Sequence, residues 1–430
     1  MKLKSLLITF ALLLNPVAAL ANNAQDHCVA APELAVADTN VLTVNTTAGL
    51  YSAVNNAKKN TTIIIEPGVY RLSSIISVTT DNLTIRGLET RCDKVILLGK
   101  GMETKNHDGV TTGFWINAKS TTIANLTVGE VYHHPIQISG SASTPRIYNV
   151  RMINAGQQFV KANPNSSGEG VNNGIVEFSV MEYTNGPPKT SHDDGGTGYT
   201  NGVDVHSGRG WIIRRNKFLN FHTPDGSDHE FNAAILMWRG ASDTLTENNL
   251  FFNVDRAIAY GLEKNDNDHT GGIIRNNLIV MTPGLYSNAR RRRADAAILV
   301  WSSPRTKVLH NTIVTNGNIP FSIESRWNST DALLSNNLAD APIVHSAGKI
   351  NREFCKFTAR CRKYLSAYAK QNEIAANASW FIDPAVANLR LHEQALPLIR
   401  PLPLQPDATI DITGRIRPAA ATPGAFQVYQ

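Results

Sequence analysis

Beyond its first two dozen residues this chain lacks any apolar run long enough to cross a bilayer. It also lacks a zinc finger, an aromatic-basic RNA motif and a basic helix, which removes the usual support for a nucleic-acid role. Cysteine is scarce: Cys28, Cys92, Cys355 and Cys361 are the whole complement. Four cysteines allow three pairings, and their presence suits an oxidising compartment. Cys28–Cys92 and Cys355–Cys361 are the favoured pairs. The second needs a turn between its members, because residues six apart on one continuous helix point to different sides; two buried free thiols are the alternative there.

The single long apolar run is N-terminal. Residues 1–21, MKLKSLLITFALLLNPVAALA, combine two lysines, an apolar stretch too short for a membrane span and a small-residue ending at Ala19-Leu20-Ala21. They read as a signal peptide cleaved before Asn22, so a soluble, exported chain is expected, periplasmic or extracellular. Lys and Arg number 41 against 35 Asp and Glu, a formal charge of +6. For an exported protein this excess favours acidic partners such as polyuronates or an anionic cell surface.

What the chain has in abundance is a repeated local setting for asparagine. The strings IIRRN-KF, LTEN-NLFF, IIRN-NLIV, VLHN-TIV and LLSN-NLA centre on Asn216, Asn248, Asn276, Asn311 and Asn336, spaced 32, 28, 35 and 25 residues apart. Each is a short apolar strand, an asparagine and a second short strand, and most copies have another strand (GVDVH, AAILMW, RAIAY, DAAILVW, PFSIE) upstream. Units this short cannot bury their own apolar face and must stack on their neighbours. The expected fold is all-β: a right-handed parallel β-helix solenoid whose asparagines hydrogen-bond up a column. The expected divisions are an N-terminal cap over 22–60 with a helix near Leu50–Lys59, the β-helix over 61–350, and a helical or irregular C-terminal cap over 351–430. Long insertions (162–173, 184–201, 222–232, 263–271 and 283–295) all precede an upstream strand and should emerge along one working edge.

Three strings carry a family resemblance. TTIIIEPGVYRL followed by NLTIRGL and VILLGKG resembles the first coils of pectin-lyase-like β-helices. DITGRIRPAAATPGAFQ resembles the D-x-x-G-x-x-R-P…G-A-[FY]-[QE] ending of many secreted bacterial β-helix proteins. GVDVHSGRGWIIRRN resembles, over a shorter span, the D-P-H segment of mannuronan C5-epimerases, with Val205 where that motif carries proline. These resemblances imply the fold and a carbohydrate-active role.

Within the upstream strands, alternate residues face outward. Asp204 and His206 share that face at i and i+2, so a carboxylate and an imidazole can act together in proton transfer. His206, Trp238, Trp301 and Glu324, with Arg239 and Arg326 nearby, read as a carbohydrate groove, since aromatics offer flat apolar faces and arginines pair with carboxylates. A stack of aromatics sheltered by loops is the alternative. Lys161 is a candidate base if neighbouring cations lower its affinity for a proton. His133 and His134 read as turn residues. Arg290–Arg293, Arg292 among them, read as a solvated run that draws a polyanion toward the groove. The acidic loops SHDDGG, DGSDHE and NDNDH suit a hard cation such as Ca²⁺, with Asp193 and Asp194 the candidate ligands, although none has EF-hand spacing. No other cofactor is implied.

The expected activity is therefore β-elimination or C5 epimerisation of an acidic, uronate-containing polysaccharide by a monomeric exported enzyme. Asp204, His206, Lys161 and Arg239 are the expected catalytic residues; Trp238, Trp301, Glu324, Arg326 and Arg292 are the expected substrate contacts. The alternatives are a non-catalytic polysaccharide-binding or surface solenoid, and a glycoside hydrolase using loop carboxylates; polygalacturonase-like N-T-D and G-H-G strings are absent.

Overall fold

The structure, a computed structural model, describes residues 27–35, 40–105, 107–189, 201–225, 233–329, 331–346, 368 and 370–428. The signal peptide expected over 1–21, the Cys355–Cys361 pairing and the candidate ligands Asp193 and Asp194 lie outside the described residues. Among those described, the strands form two large parallel sheets, one of ten strands and one of nineteen. The ten-stranded sheet runs in chain order from Ile76–Val78 to Ile343–Ser346, one strand from each coil. The fold is a parallel β-helix.

Inward columns explain why the coils stack. Ile136, Val160, Val203, Ile235, Ile258, Ile298, Ile323 and Ile343 occupy one register line, all fully or almost fully buried. Each such side chain contributes roughly 1.5–3 kcal/mol on leaving water, and β-branched residues suit the pleated surface. No coil reaches that burial alone. The expected helix starts earlier and stops earlier than its composition suggests, spanning Thr47–Asn56. Thr46 Oγ1 accepts the Gly49 N–H at 3.0 Å and sets the start; Leu50, Ala53 and Val54 then cover the end of the solenoid. Cys28 is disulfide-bonded to Cys92, tying the N-terminal segment to an early coil.

The asparagine column exists, one residue along from where the repeat suggests at three of five positions. The buried ladder is Asn216, Asn249, Asn277, Asn311, Asn337 and Asn372. The Oδ1 of Asn249 accepts both the backbone N–H and the Nδ2 of Asn216 at 3.0 Å, and the same double bond recurs at every later step. The second Nδ2 hydrogen goes to a backbone carbonyl of the coil before, as from Asn249 to Ile213 at 2.9 Å. Asn248, Asn276 and Asn336 are instead the left-handed residues of the turn, with φ between 54° and 59°. Asparagine suits both tasks, which is why an Asn-Asn pair does not declare which member is which.

The C-terminal motif proves to be a clamp on this turn column. Asp411 Oδ1 accepts the Thr413 and Arg415 N–H groups at 2.8 and 2.9 Å, and its Oδ2 accepts that of Gln427 at 2.9 Å. Buried Arg417 donates to Asn276 Oδ1 at 2.9 Å and to the Gly424 and Ala425 carbonyls at 3.0 Å. Gly424 has φ 91°, and a Cβ there would sit 2.7 Å from Thr312 Oγ1, so the backbone can approach only without a side chain.

Replacing Asn249 by alanine should cost about 2–4 kcal/mol in chemical denaturation, because it orphans two buried donors of Asn216. Asn248→Gly should cost less than about 1 kcal/mol, since only a left-handed backbone is required of it. Equal losses would contradict the assignment of the ladder.

Candidate active site

Parallel register sets the site. Lys161 lies directly opposite Asp204, and His206 opposite Trp238, on three successive strands of the ten-stranded sheet. Their side chains leave the solenoid wall on its outer face. Neighbouring strands are about 4.8 Å apart, within reach of a lysine or an indole. Lys161 Nζ donates to Asp204 Oδ2 at 2.7 Å and lies 2.8 Å from His206 Nε2. Trp238 Nε1 donates to Asp204 Oδ1 at 2.8 Å, and His206 Nε2 is 3.4 Å from the same oxygen. Gln158 adds a longer bond, Nε2 to Asp204 Oδ2 at 3.3 Å. The imidazole edge meets the Trp238 ring at a centroid distance of 4.8 Å.

Asp204 is the buried anchor of this cluster, 1% exposed. Burial by itself would raise its carboxyl pKa; the hydrogen bond from His206 and the charge of Lys161 outweigh it and hold the group down at about 2. His134 sits beneath, its pKa pushed by burial down to about 3, so it is a neutral imidazole. From the turn before the strand Ile136–Ile138, its Nδ1 donates to the Gln158 carbonyl of the next coil at 3.0 Å. Lys161 differs from expectation in one respect. Its hydrogen-bonded neighbours are a carboxylate and an imidazole, where a lowered proton affinity was to come from cations.

Arg239 stands at the edge of the cluster. Its guanidinium lies 4.2 Å above the Trp238 ring and pairs with Glu263 at 3.2 Å, both partners about half exposed. An ion pair in that setting is worth at most about 1 kcal/mol, so Arg239 can exchange Glu263 for another anion at little cost.

The remaining expected contacts are elsewhere. Trp301 is 5% exposed and Glu324 1%. Arg326 covers the Trp301 ring at 3.7 Å and grips Glu324 through three hydrogen bonds of 2.7–3.1 Å, while Ser346 Oγ donates to Glu324 Oε1 at 2.8 Å. Glu324 aligns with Leu299, and Arg326 with Trp301, so Glu324 keeps the outer face and lies in a different column from Trp301. These residues hold one another and do not open onto a groove. The arginine run forms a short helix, Asn288–Arg293, capped by Ser287, instead of a solvated loop. Arg290 is fully buried, 3.3 Å from Asp255 and over the Tyr286 ring. Arg292 is exposed, and no described contact joins it to the cluster.

No group of three or more candidate metal ligands occurs among the described residues. Asp268, from the NDNDH loop, accepts the N–H groups of Arg239, Leu262 and Glu263 and so closes a turn. His269 is buried between Ser303 and Thr244 hydroxyls. The sequence reading missed Gln158, and missed that Trp115 and Gln137 share the outward column of Lys161. Aligning GFWIN and PIQIS beneath FVKAN would have shown it.

No protein-family model matches this sequence, and no curated protein matches it. Solved structures do. Pectate lyase Pel9A is similar at TM-score 0.54 and 13% identity, over 87% of this chain and 90% of that one. An alginate lyase from Paenibacillus sp. str. FPU-7 is similar at TM-score 0.50 and 16% identity, over 72% of this chain and 99% of that one. The chain has the pectin-lyase-like fold. It also matches alginate lyase AlyGC, at TM-score 0.36, and spans 46% of that longer chain. At these identities the likeness establishes the β-helix and not the chemistry.

Because the folded pKa of Asp204 lies below its ordinary value of 3.8, its ionisation stabilises the fold above about pH 4, and that stability disappears as pH falls toward 2. The contribution is about 2 kcal/mol. Asp204→Asn should flatten the acid-side loss between those limits in a melting series; an unchanged acid limb would contradict a buried, ionised Asp204.

Proposed function

We propose that the protein cleaves a uronate-containing polysaccharide by β-elimination. The observation that carries this reading is the Lys161–His206 contact of 2.8 Å beside ionised, buried Asp204. One buried carboxylate balances one cation, since an unpaired buried charge is strongly disfavoured. The lysine and the imidazole are close enough to pass one proton between them.

That transfer gives a closed cycle. With the proton on His206, Lys161 is a neutral amine and takes the C5 hydrogen. The electrons of the C5–H bond form the C4–C5 double bond and the C4–O4 bond breaks. His206 Nε2–H protonates the departing O4. Lys161 is then the ammonium and His206 neutral, and transfer of the proton back across 2.8 Å restores the start. Asp204 keeps the same charge throughout, and its tie to Trp238 fixes its orientation. Arg239 leaves Glu263 for the uronate carboxylate and stabilises the charge that develops there.

Hydrolysis by paired acids finds less support. Of the loop carboxylates that such a hydrolase would use, Asp268 accepts three backbone N–H groups and closes a turn. The Cys28–Cys92 disulfide supports export to an oxidising compartment, where such polymers occur.

Purified protein should convert alginate or pectate to products with the ultraviolet absorbance of an unsaturated uronate. Lys161→Ala and His206→Ala should each lower kcat at least about 100-fold, and Arg239→Ala should lower kcat/KM about 100-fold. Arg326→Lys, at a buried residue four strands from His206, should leave both constants within about two-fold. Reducing ends without unsaturation would indicate hydrolysis, and retention of polymer without turnover would indicate a binding solenoid. Either outcome overturns the reading.

A further inference from the structure

The outer face of the ten-stranded sheet is different on the two sides of the Lys161–Asp204–His206 cluster. Toward the N-terminus the column continues through Gln137, Trp115 and Ser77, all partly or fully exposed. Toward the C-terminus the same column continues through Leu236, Ala259 and Leu299, each 0% exposed. These pack outside the sheet with Trp238, Trp301 and Phe321 in an apolar cluster. Trp238 stands at the boundary. It is 9% exposed, bonded through Nε1 to Asp204, in edge contact with His206 and covered by Arg239. It forms a wall.

We propose that the groove has one open arm, running from the cluster over Gln137 to Trp115 and ending at the Trp238 wall. The inference rests on the lyase reading for its consequence but not for its binding surface. Each strand step is about 4.8 Å, close to the length of one sugar ring, so Trp115 lies about two rings from Lys161. Its partly buried indole offers the exposed part of a flat apolar face to the second or third ring, and the Gln137 amide between them supplies a donor and an acceptor for hydroxyls. A polymer held this way cannot continue past Trp238. The enzyme acts near a chain end and releases short products, and Trp115 determines how firmly the long side of the chain is held.

Two measurements separate the outcomes. During turnover of polymer, viscosity should stay near its starting value while unsaturated product accumulates, and size-exclusion chromatography at low conversion should show mono- to trisaccharides beside intact polymer. An early fall in viscosity with a broad ladder of oligosaccharides overturns the one-armed groove while leaving the lyase reading intact; absence of unsaturated product overturns the lyase reading instead. For the arm itself, trisaccharide affinity is measured calorimetrically in the His206→Ala protein, which binds without turnover. Adding Trp115→Ala should weaken it about ten-fold, and Trp115→Phe should keep most of it, which distinguishes lost stacking from misfolding. Affinity unchanged by Trp115→Ala contradicts the platform whether or not cleavage is seen.

Discussion

Everything in this molecule depends on one constraint, the register between successive coils, and the buried asparagine ladder imposes it. An inward apolar column tolerates sliding by two residues, because the face presented to the core stays the same. The ladder does not. From Asn249 on, each Oδ1 takes two donors from the coil before and each Nδ2 returns one bond to a carbonyl there, as at Asn277; at the first rung Asn216 accepts the Ser179 N–H and bonds the Val176 carbonyl, tying the coil of Lys161 to that of Asp204. A slip would strand these groups away from water. Holding that turn in place fixes the outer column as well, which is how Lys161 and Asp204, 43 residues apart in sequence, come to be opposite one another.

The cluster on that column is stabilised by the same charge balance that makes it useful. A carboxylate as buried as Asp204 persists as an anion only with compensating donors, and it has four within reach: Lys161, His206, Trp238 and Gln158. The indole is neutral, so it orients the carboxylate without adding charge. Lys161 and His206 are in contact at 2.8 Å on the carboxylate's outer side. Half-exposed Arg239 stands outside this balance, in a surface pair with Glu263 that another anion can replace at little cost.

Much of this was legible in the sequence, and the failures have physical causes. Asn216 and Asn311 were located because Arg215 and His310 precede them and only one residue can serve the ladder. In the Asn248-Asn249, Asn276-Asn277 and Asn336-Asn337 pairs, one side-chain type meets two needs, so spacing alone cannot separate them. Alternation within a strand points to Asp204, His206 and Trp238, Lys161 stands out as a candidate base, and the structure brings all four together. Alternation says which residues leave the core; it does not say what covers them. Trp301, Glu324 and Arg326 face outward as expected, yet they are buried against one another. Arg290 shows the same limit in a charged run, since Asp255, the partner that admits it to the interior, is 35 residues away. The closing D-x-x-G-x-x-R-P segment was visible as a motif, while its purpose, clamping the ladder turns through Arg417 and Gly424, needed the tertiary contact.

The central claim is that Lys161 and His206 move the C5 proton of a uronate. The most direct measurement follows that hydrogen by nuclear magnetic resonance, in alginate and pectate treated with the protein in deuterated water. The account predicts loss of the C5 hydrogen in step with the appearance of a C4–C5 double bond, and no such loss when Lys161 is replaced by alanine. Intact C5 hydrogens alongside newly formed chain ends, or C5 loss at an undiminished rate in the Lys161 variant, would contradict it.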